Sequence, residues 1–211
     1  ERNSASDMAL EIAKLKKQNV DGLIVDLRNN GGGSLSKVVE IAGLFIKEGP
    51  VVQVRDAERN IQVLSDTDSS TQWDKPLVIL INELSASASE ILAAAMQDYG
   101  RAIIIGSKQS YGKGTVQELI DLNREIRNSS LGDLGAIKLT RQKFYRINGG
   151  STQLKGVNSD VVIPDRYQYI KVGERELENP LPWDEIHKVA FTPWKQNQNF
   201  PTAIANSKKR I

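Results

Sequence analysis

Apolar and polar positions alternate along this chain with two periods, and the changes between them mark the elements. Met8, Ile12 and Leu15 recur at helical spacing, with Ser6 or Asp7 placed to cap, so the first eighteen residues are expected to be helical. Val20-Asp21-Gly22 breaks that pattern ahead of Leu23-Ile24-Val25-Asp26-Leu27, a run suited to a buried strand. A loop over 28–34 leads into a second helix carried by Val38, Val39, Ile41, Ala42, Leu44 and Phe45, which Gly49-Pro50 ends. Val51–Arg55 and Ile61–Ser65 read as a hairpin pair, and residues 66–76 as loop. Leu77–Ile81 is another buried-type strand. After it come the small-residue loop Ser85–Ser89, a helix over Ile91–Tyr99 capped by Gly100, and a strand over Ala102–Ile105. Two strand–helix–strand crossovers with strands apolar on both faces predict an α/β fold, a mixed sheet covered by helices. Thr115–Leu122 and Ile137–Ile147 alternate like longer, half-buried strands on either side of a polar loop at 123–135. The expected core is therefore residues 1–165. Residues 166–211 form a polar, proline-containing and irregular extension with one short helix near Trp183–Val189.

Composition removes several kinds of chemistry. The 211 residues carry 28 Lys and Arg against 26 Asp and Glu, a net +2, and the longest basic run is Lys208-Lys209-Arg210. That charge distribution argues against a nucleic-acid partner. There is no cysteine, so disulfides, thiolate metal sites and a cysteine nucleophile are all excluded. The single histidine, His187, argues against a Ser-His-Asp triad or a multi-histidine metal centre, and no metal or cofactor is expected. No apolar run approaches the roughly 18 residues of a membrane span. No signal peptide precedes Glu1, and the chain reads as an excised piece of a longer one.

Candidate chemistry lies in three segments at strand ends, where ligands bind in open α/β sheets. Asn30-Gly31-Gly32-Gly33 leaves backbone N–H groups bare for an anion, although a tight turn is the commoner use of such a triplet. Ser85-Ala86-Ser87-Ala88-Ser89-Glu90 joins a strand to a helix. Ser87 with Glu90 fits a capping box, and a serine there also sits beside unpaired amides at the positive end of the helix. Tyr111-Gly112-Lys113-Gly114-Thr115-Val116-Gln117 opens a strand. If it is extended, Lys113, Thr115 and Gln117 share one face. The order of glycine and lysine does not fit a phosphate-binding loop, and the ordinary fate of a lone lysine is a solvated turn. A serine nucleophile without histidine needs another base, and a neutral lysine can serve. Its pKa must fall from about 10.4 to roughly 7–8, which costs about 4 kcal/mol. Gln117 can hold the amine by a neutral hydrogen bond, where a carboxylate would raise its pKa again.

Together with Asp26-Leu27-Arg28-Asn29-Asn30-Gly31-Gly32-Gly33 and the segment Phe144 to Gln153, these motifs resemble the carboxy-terminal processing proteases of peptidase family S41, most closely the tail-specific branch. The segments Ala93 to Arg101 and Lys155-Gly156-Val157 through Pro164-Asp165 strengthen that likeness, which covers nearly the whole chain. The resemblance implies a ClpP/crotonase-like fold and a serine endopeptidase with a Ser–Lys dyad. It also implies substrates that are unfolded polypeptides or apolar C-terminal tails, and a bacterial periplasmic or inner-membrane-associated setting. On this chain it places the nucleophile on Ser87, ahead of Ser85 and Ser89, the base on Lys113 and its orienting partner on Gln117. Gly32 or Gly33 and Ala88 fall on oxyanion positions, and Glu90 and Asp98 on supporting acidic positions. The stretch Gly106–Lys113 is one residue longer than the family pattern, which makes Lys108 a second candidate base. The family also implies a PDZ domain, which these residues do not match, and any membrane association is expected to come from parts outside this chain. Non-catalytic, ligand-binding domains use the same fold, and the joint presence of Ser87, Lys113 and Gln117 argues against that alternative.

Overall fold

The computed structural model describes residues 3–126, 132–195 and 200–209. Helix α1 (Ser4–Lys17) starts one residue after Asn3, whose side-chain oxygen accepts from the N–H groups of Ala5 and Ser6, and it ends on three lysines that complement its dipole. Strand β1 (Leu23–Asp26), helix α2 (Leu35–Gly43), and strands β2 (Gly49–Arg55) and β3 (Ile61–Asp66) follow, then β4 (Leu77–Ile81), α3 (Ala88–Asp98) and β5 (Ile103–Gly106). The chain continues through β6 (Thr115–Asp121), the single turn α4 (Leu122–Glu125), β7 (Ala136–Tyr145), β8 (Val161–Val162) and α5 (Phe200–Lys208). Part of the expected 123–135 loop lies outside the described residues, and its first residues form the α4 turn.

The fold is α/β, as expected, but parallel and antiparallel pairing occupy separate sheets. One sheet is parallel throughout, in the order β1-β4-β5-β8. The other is antiparallel, in the order β3-β2-β7-β6. Helix α3 packs against α2 and against strands of both sheets, and every residue from Ala88 to Met96 is buried. Its run of small residues, Ala93-Ala94-Ala95, explains how a helix fits so tightly, since bulky side chains would hold its neighbours apart. Leu23, Leu77, Ile79, Ile81 and Ile104 join α2 and α3 in one core. The opposite face of the parallel sheet is less covered. Ile24, on the edge strand β1, is 67% exposed, so the doubly buried reading of that strand does not hold.

Residues 183–189 do not form the expected helix. Their backbone is spent on the core: Ile186 N–H donates to Gly149 O (2.9 Å), Val189 N–H to Ile147 O (3.0 Å), and Glu185 bridges Gly150. The extension thus runs as a strap over the core. Trp194 closes it, with its N–H on Tyr99 O (2.8 Å) and its ring 4.8 Å from the guanidinium of Arg101. Arg101 is fully buried and donates to the carbonyls of Phe45, Trp73 and Lys75. Burial lowers its pKa to about 10, which leaves it charged at neutral pH.

Candidate active site

The carboxyl end of β4 delivers the chain into residues 82–87, and three serines there have different fates. Ser85 is fully buried; its hydroxyl donates to Leu27 O (2.8 Å) and accepts from Asn82 N–H (2.9 Å). Ser89 donates to Asn30 O (3.0 Å). Both are committed to holding the β1 and β4 loops together. Ser87 is left half-buried on the wall of an open cavity of about 500 Å³.

Ser87 also carries an unusual backbone. Its φ of 57° and ψ of −117° lie in a region that glycine tolerates and a residue with a Cβ does not. The turn is held by Glu90, which accepts the Ser87 N–H at 2.8 Å. This is the well-made half of the capping box. The other half is also present, with the Glu90 N–H directed at Ser87 Oγ but no regular cap hydrogen bond formed, and accepting there leaves the hydroxyl proton of Ser87 available. Gly32 lies directly above: a Cβ there would sit 2.7–2.8 Å from Ala86 O, Ala88 N and Ser87 Cβ, and its φ is +101°. Only glycine allows that approach.

Three amides converge near Ser87, but one is occupied. Gly32 N–H donates to Asn30 Oδ1 (2.9 Å), so of the two expected alternatives Gly33 is the one whose amide is left open. Among the described residues, Gly33 N–H and Ala88 N–H have no acceptor, and both residues line the cavity.

On the far wall, β6 begins at Thr115, and Lys113, Thr115 and Gln117 all face the cavity. Lys113 Nζ donates to Gln117 Oε1 at 3.0 Å. No hydrogen bond joins Lys113 Nζ to Ser87 Oγ, although the two share one cavity. Desolvation, and then the like charge of Lys138, lower the Lys113 pKa, while Glu174 and Glu90 act in the opposite direction. Lys138, on β7, also lines this cavity. Lys108 is exposed and lies outside it.

Glu90 ties the two walls together. Fully buried, it accepts from Ser110 Oγ (2.6 Å) and Gly112 N–H (2.7 Å) on Oε1, and from Ser87 N–H (2.8 Å) and Lys113 N–H (3.0 Å) on Oε2. One side chain thus fixes the backbone beside both Ser87 and Lys113. Burial raises its pKa to about 7, against the pull of those donors. Asp98 lies away from the cavity, near the C-terminal end of α3. It pairs with Arg146 (2.6 Å) and accepts from Asn148 Nδ2 (2.9 Å). Reasoning from sequence missed Ser110 and Lys138, and it singled out Asn30 only as part of its glycine segment, not as the group that captures the Gly32 amide. Only Asn30, beside three glycines, carried a recognisable turn signal.

A half-buried serine on a strained turn, a lysine of lowered pKa and two free amides around one cavity define a hydrolase-type site. The chain belongs to peptidase family S41, whose profile matches residues 1–163. Residues 167–211 match the C-terminal domain of tail specific protease. The chain is 50% identical over 185 residues to a tail-specific protease of Haemophilus influenzae, covering 88% of this chain and 26% of that protein. It is 37% identical over 176 residues to a carboxy-terminal-processing protease of Bartonella bacilliformis, covering 80% of this chain and 38% of that one. Among solved structures, a photosystem II D1 C-terminal processing protease superposes with a TM-score of 0.65 at 30% identity, covering 77% of this chain and 40% of that chain. The chain therefore spans about a quarter to two fifths of the length of these relatives.

Proposed function

We propose that this chain carries the active site of a serine endopeptidase that cleaves unfolded polypeptides and C-terminal tails. Ser87 Oγ attacks the scissile carbonyl and neutral Lys113 takes its proton. Gln117 holds the amine, and the N–H groups of Gly33 and Ala88 receive the oxyanion. Lys113 then returns the proton to the leaving amine. The observation that carries this reading is that Ser87, alone among the three serines of its loop, lines the cavity that Lys113 and Gln117 enter, while the hydroxyls of Ser85 and Ser89 donate to loop carbonyls.

Substrate class follows from the surroundings. On the other side of Gly32, Gly33 and Ala88 lies a second recess of about 200 Å³, lined by Met8, Leu27, Val38, Ile41 and Leu92. It suits a small or apolar side chain next to the cut bond. The wall strand β6 is at the edge of its sheet, so an extended peptide can pair with it through backbone hydrogen bonds. A folded substrate has already spent those amides internally. The names of the bacterial tail-specific and carboxy-terminal-processing proteases similar to this chain support a tail-directed role, and the setting we propose for it is the periplasm. No helix among the described residues is long and apolar enough to cross a membrane.

The test is labelling by a fluorophosphonate probe, together with cleavage of an unfolded peptide, for wild type, Ser87→Ala and Lys113→Ala. Both variants are expected to lose labelling and cleavage while keeping the wild-type melting curve. Undiminished labelling of Ser87→Ala would sink the assignment, and folded but inert wild type would favour a non-catalytic binding module.

A further inference from the structure

Residues 111–114, which carry Lys113, have every backbone group tied. The four N–H groups donate to Ser85 O (3.0 Å), Glu90 Oε1 (2.7 Å), Glu90 Oε2 (3.0 Å) and Gln153 Oε1 (2.8 Å) in chain order. The four carbonyls accept from Glu174 N–H (3.0 Å), Leu154 N–H (2.7 Å), Thr152 Oγ1 (3.0 Å) and Phe144 N–H (2.9 Å). Two of these partners lead out of the segment matched by the peptidase profile and into the C-terminal one. Glu174 belongs to it directly. Gln153, fully buried, reaches it through its amide, which donates to Leu181 O (3.0 Å) and Glu174 Oε1 (3.3 Å).

The approach is close as well as bonded. A Cβ on Gly173 would lie 2.7 Å from Tyr111 O, and Gly173 has a φ of +119°. The strap beyond Leu181 is anchored firmly. Trp183 Nε1 donates to Ser151 O (2.9 Å), and the ammonium of Lys155 lies 3.3 Å from the centre of the Trp183 ring. Asp184 pairs with Arg55 (2.6 Å) and with Lys143.

We infer that residues 173–184 act as a clamp on the loop that carries the general base, with Gln153 as the positioning residue that joins clamp to loop. The inference rests on Lys113 being that base. Gln153 touches no reacting atom. It acts by fixing Gly114 N–H, one residue from Lys113, in the register that sends the lysine into the cavity. A displacement of about 1 Å at a catalytic group is enough to cost about 10²-fold in rate. The charged groups facing Lys113 are Lys138 on β7, Glu90 on α3 and Glu174 on the clamp itself. Releasing the clamp therefore changes both the position of the amine and one carboxylate that acts on it.

Gln153→Glu separates the two halves of the link. Its carboxylate still accepts from Gly114 N–H but no longer donates to Leu181 O, and it faces Glu174. Gln153→Ala breaks both halves, and Gly173→Ala strikes the clamp from the other side. Two readouts apply to the 211-residue chain: hydrogen exchange of the amides at 112–114, and the rate of fluorophosphonate labelling against pH. All three variants are expected to exchange faster at 112–114 with β4 and β5 still protected. Labelling should slow by about 10- to 100-fold, with the rise of labelling with pH displaced from its wild-type position. If Gln153→Glu matches wild type in exchange, the local bond to Gly114 is all that matters and the clamp is wrong. If a variant unfolds globally, Gly173→Ala decides: wild-type exchange at 112–114 overturns the inference. Lys113→Ala separates the two ideas. Full labelling of that variant would refute Lys113 as the base, while the exchange data would still decide whether the loop is clamped.

Discussion

Replacing Glu90 by glutamine removes one charge and almost no volume, so its effects can be worked out bond by bond. The wild-type carboxylate accepts four hydrogen bonds, three of them from backbone N–H groups. The amide accepts on one end and donates on the other. Its better orientation points the NH₂ at Ser110 and Gly112. Ser110 Oγ can turn to accept, but Gly112 N–H then loses its partner. One buried donor left unsatisfied costs about 1–3 kcal/mol. The opposite orientation orphans both Ser87 and Lys113 and costs about twice that. Ionisation adds a pH signature. Burial raises the folded pKa from the usual 4.5 to about 7, so the folded chain holds a proton that the unfolded chain has released. The corresponding stabilisation, about 3 kcal/mol, is fully present below pH 4.5 and is lost as the pH rises through about 7. Glutamine cannot titrate. Urea denaturation of wild type and Glu90→Gln between pH 4.5 and 8 should therefore show the wild type losing stability over that interval relative to the variant. A stability difference that does not change with pH would refute the account of Glu90 as a buried, titrating hub.

Lys138→Ala should move the pH at which labelling rises upward, because one lowering influence on Lys113 disappears, and added salt should shrink the gap between the two proteins. Gly32→Ala should abolish labelling and lower the melting temperature, since the new methyl meets Ala86 O, Ala88 N and Ser87 Cβ within 2.8 Å. Asp98→Ala leaves the largely buried Arg146 without its carboxylate and should cost about 3–5 kcal/mol in denaturation. Its active-site pH profile should stay unchanged, because Asp98 lies outside the cavity.

Much of the frame was legible because each crossover pairs an apolar strand with a helix and a small-residue turn. β4 coincides with the expected Leu77–Ile81, β5 lies one residue beyond Ala102–Ile105, and α3 starts three residues ahead of the expected Ile91, inside the small-residue loop. The three segments proposed for chemistry do meet around one cavity, and their shared place at strand ends had suggested it. Other features depend on partners far along the chain. The division into two sheets was not readable, because strand alternation does not say which strand a neighbour will be. Residues 183–189 have helical spacing, yet Gly149 and Ile147 offer them backbone partners that outcompete it. Glu90 read as half of a capping box, and it is that; its other three bonds, to Ser110, Gly112 and Lys113, come from a loop some twenty residues later.

The backbone of Ser87 has a consequence for how this chain can change over time. A residue with a side chain at φ 57° and ψ −117° costs about 1–3 kcal/mol, whereas glycine at a helix start gives up only a few tenths. Ser87→Gly should thus be more stable than wild type and unable to react with the probe. Stability alone pulls this position towards glycine, and only a use for the hydroxyl opposes that pull. In a descendant that had lost its substrate, Ser87 would be among the first residues to drift. Its presence here is what selection for the proposed reaction would leave.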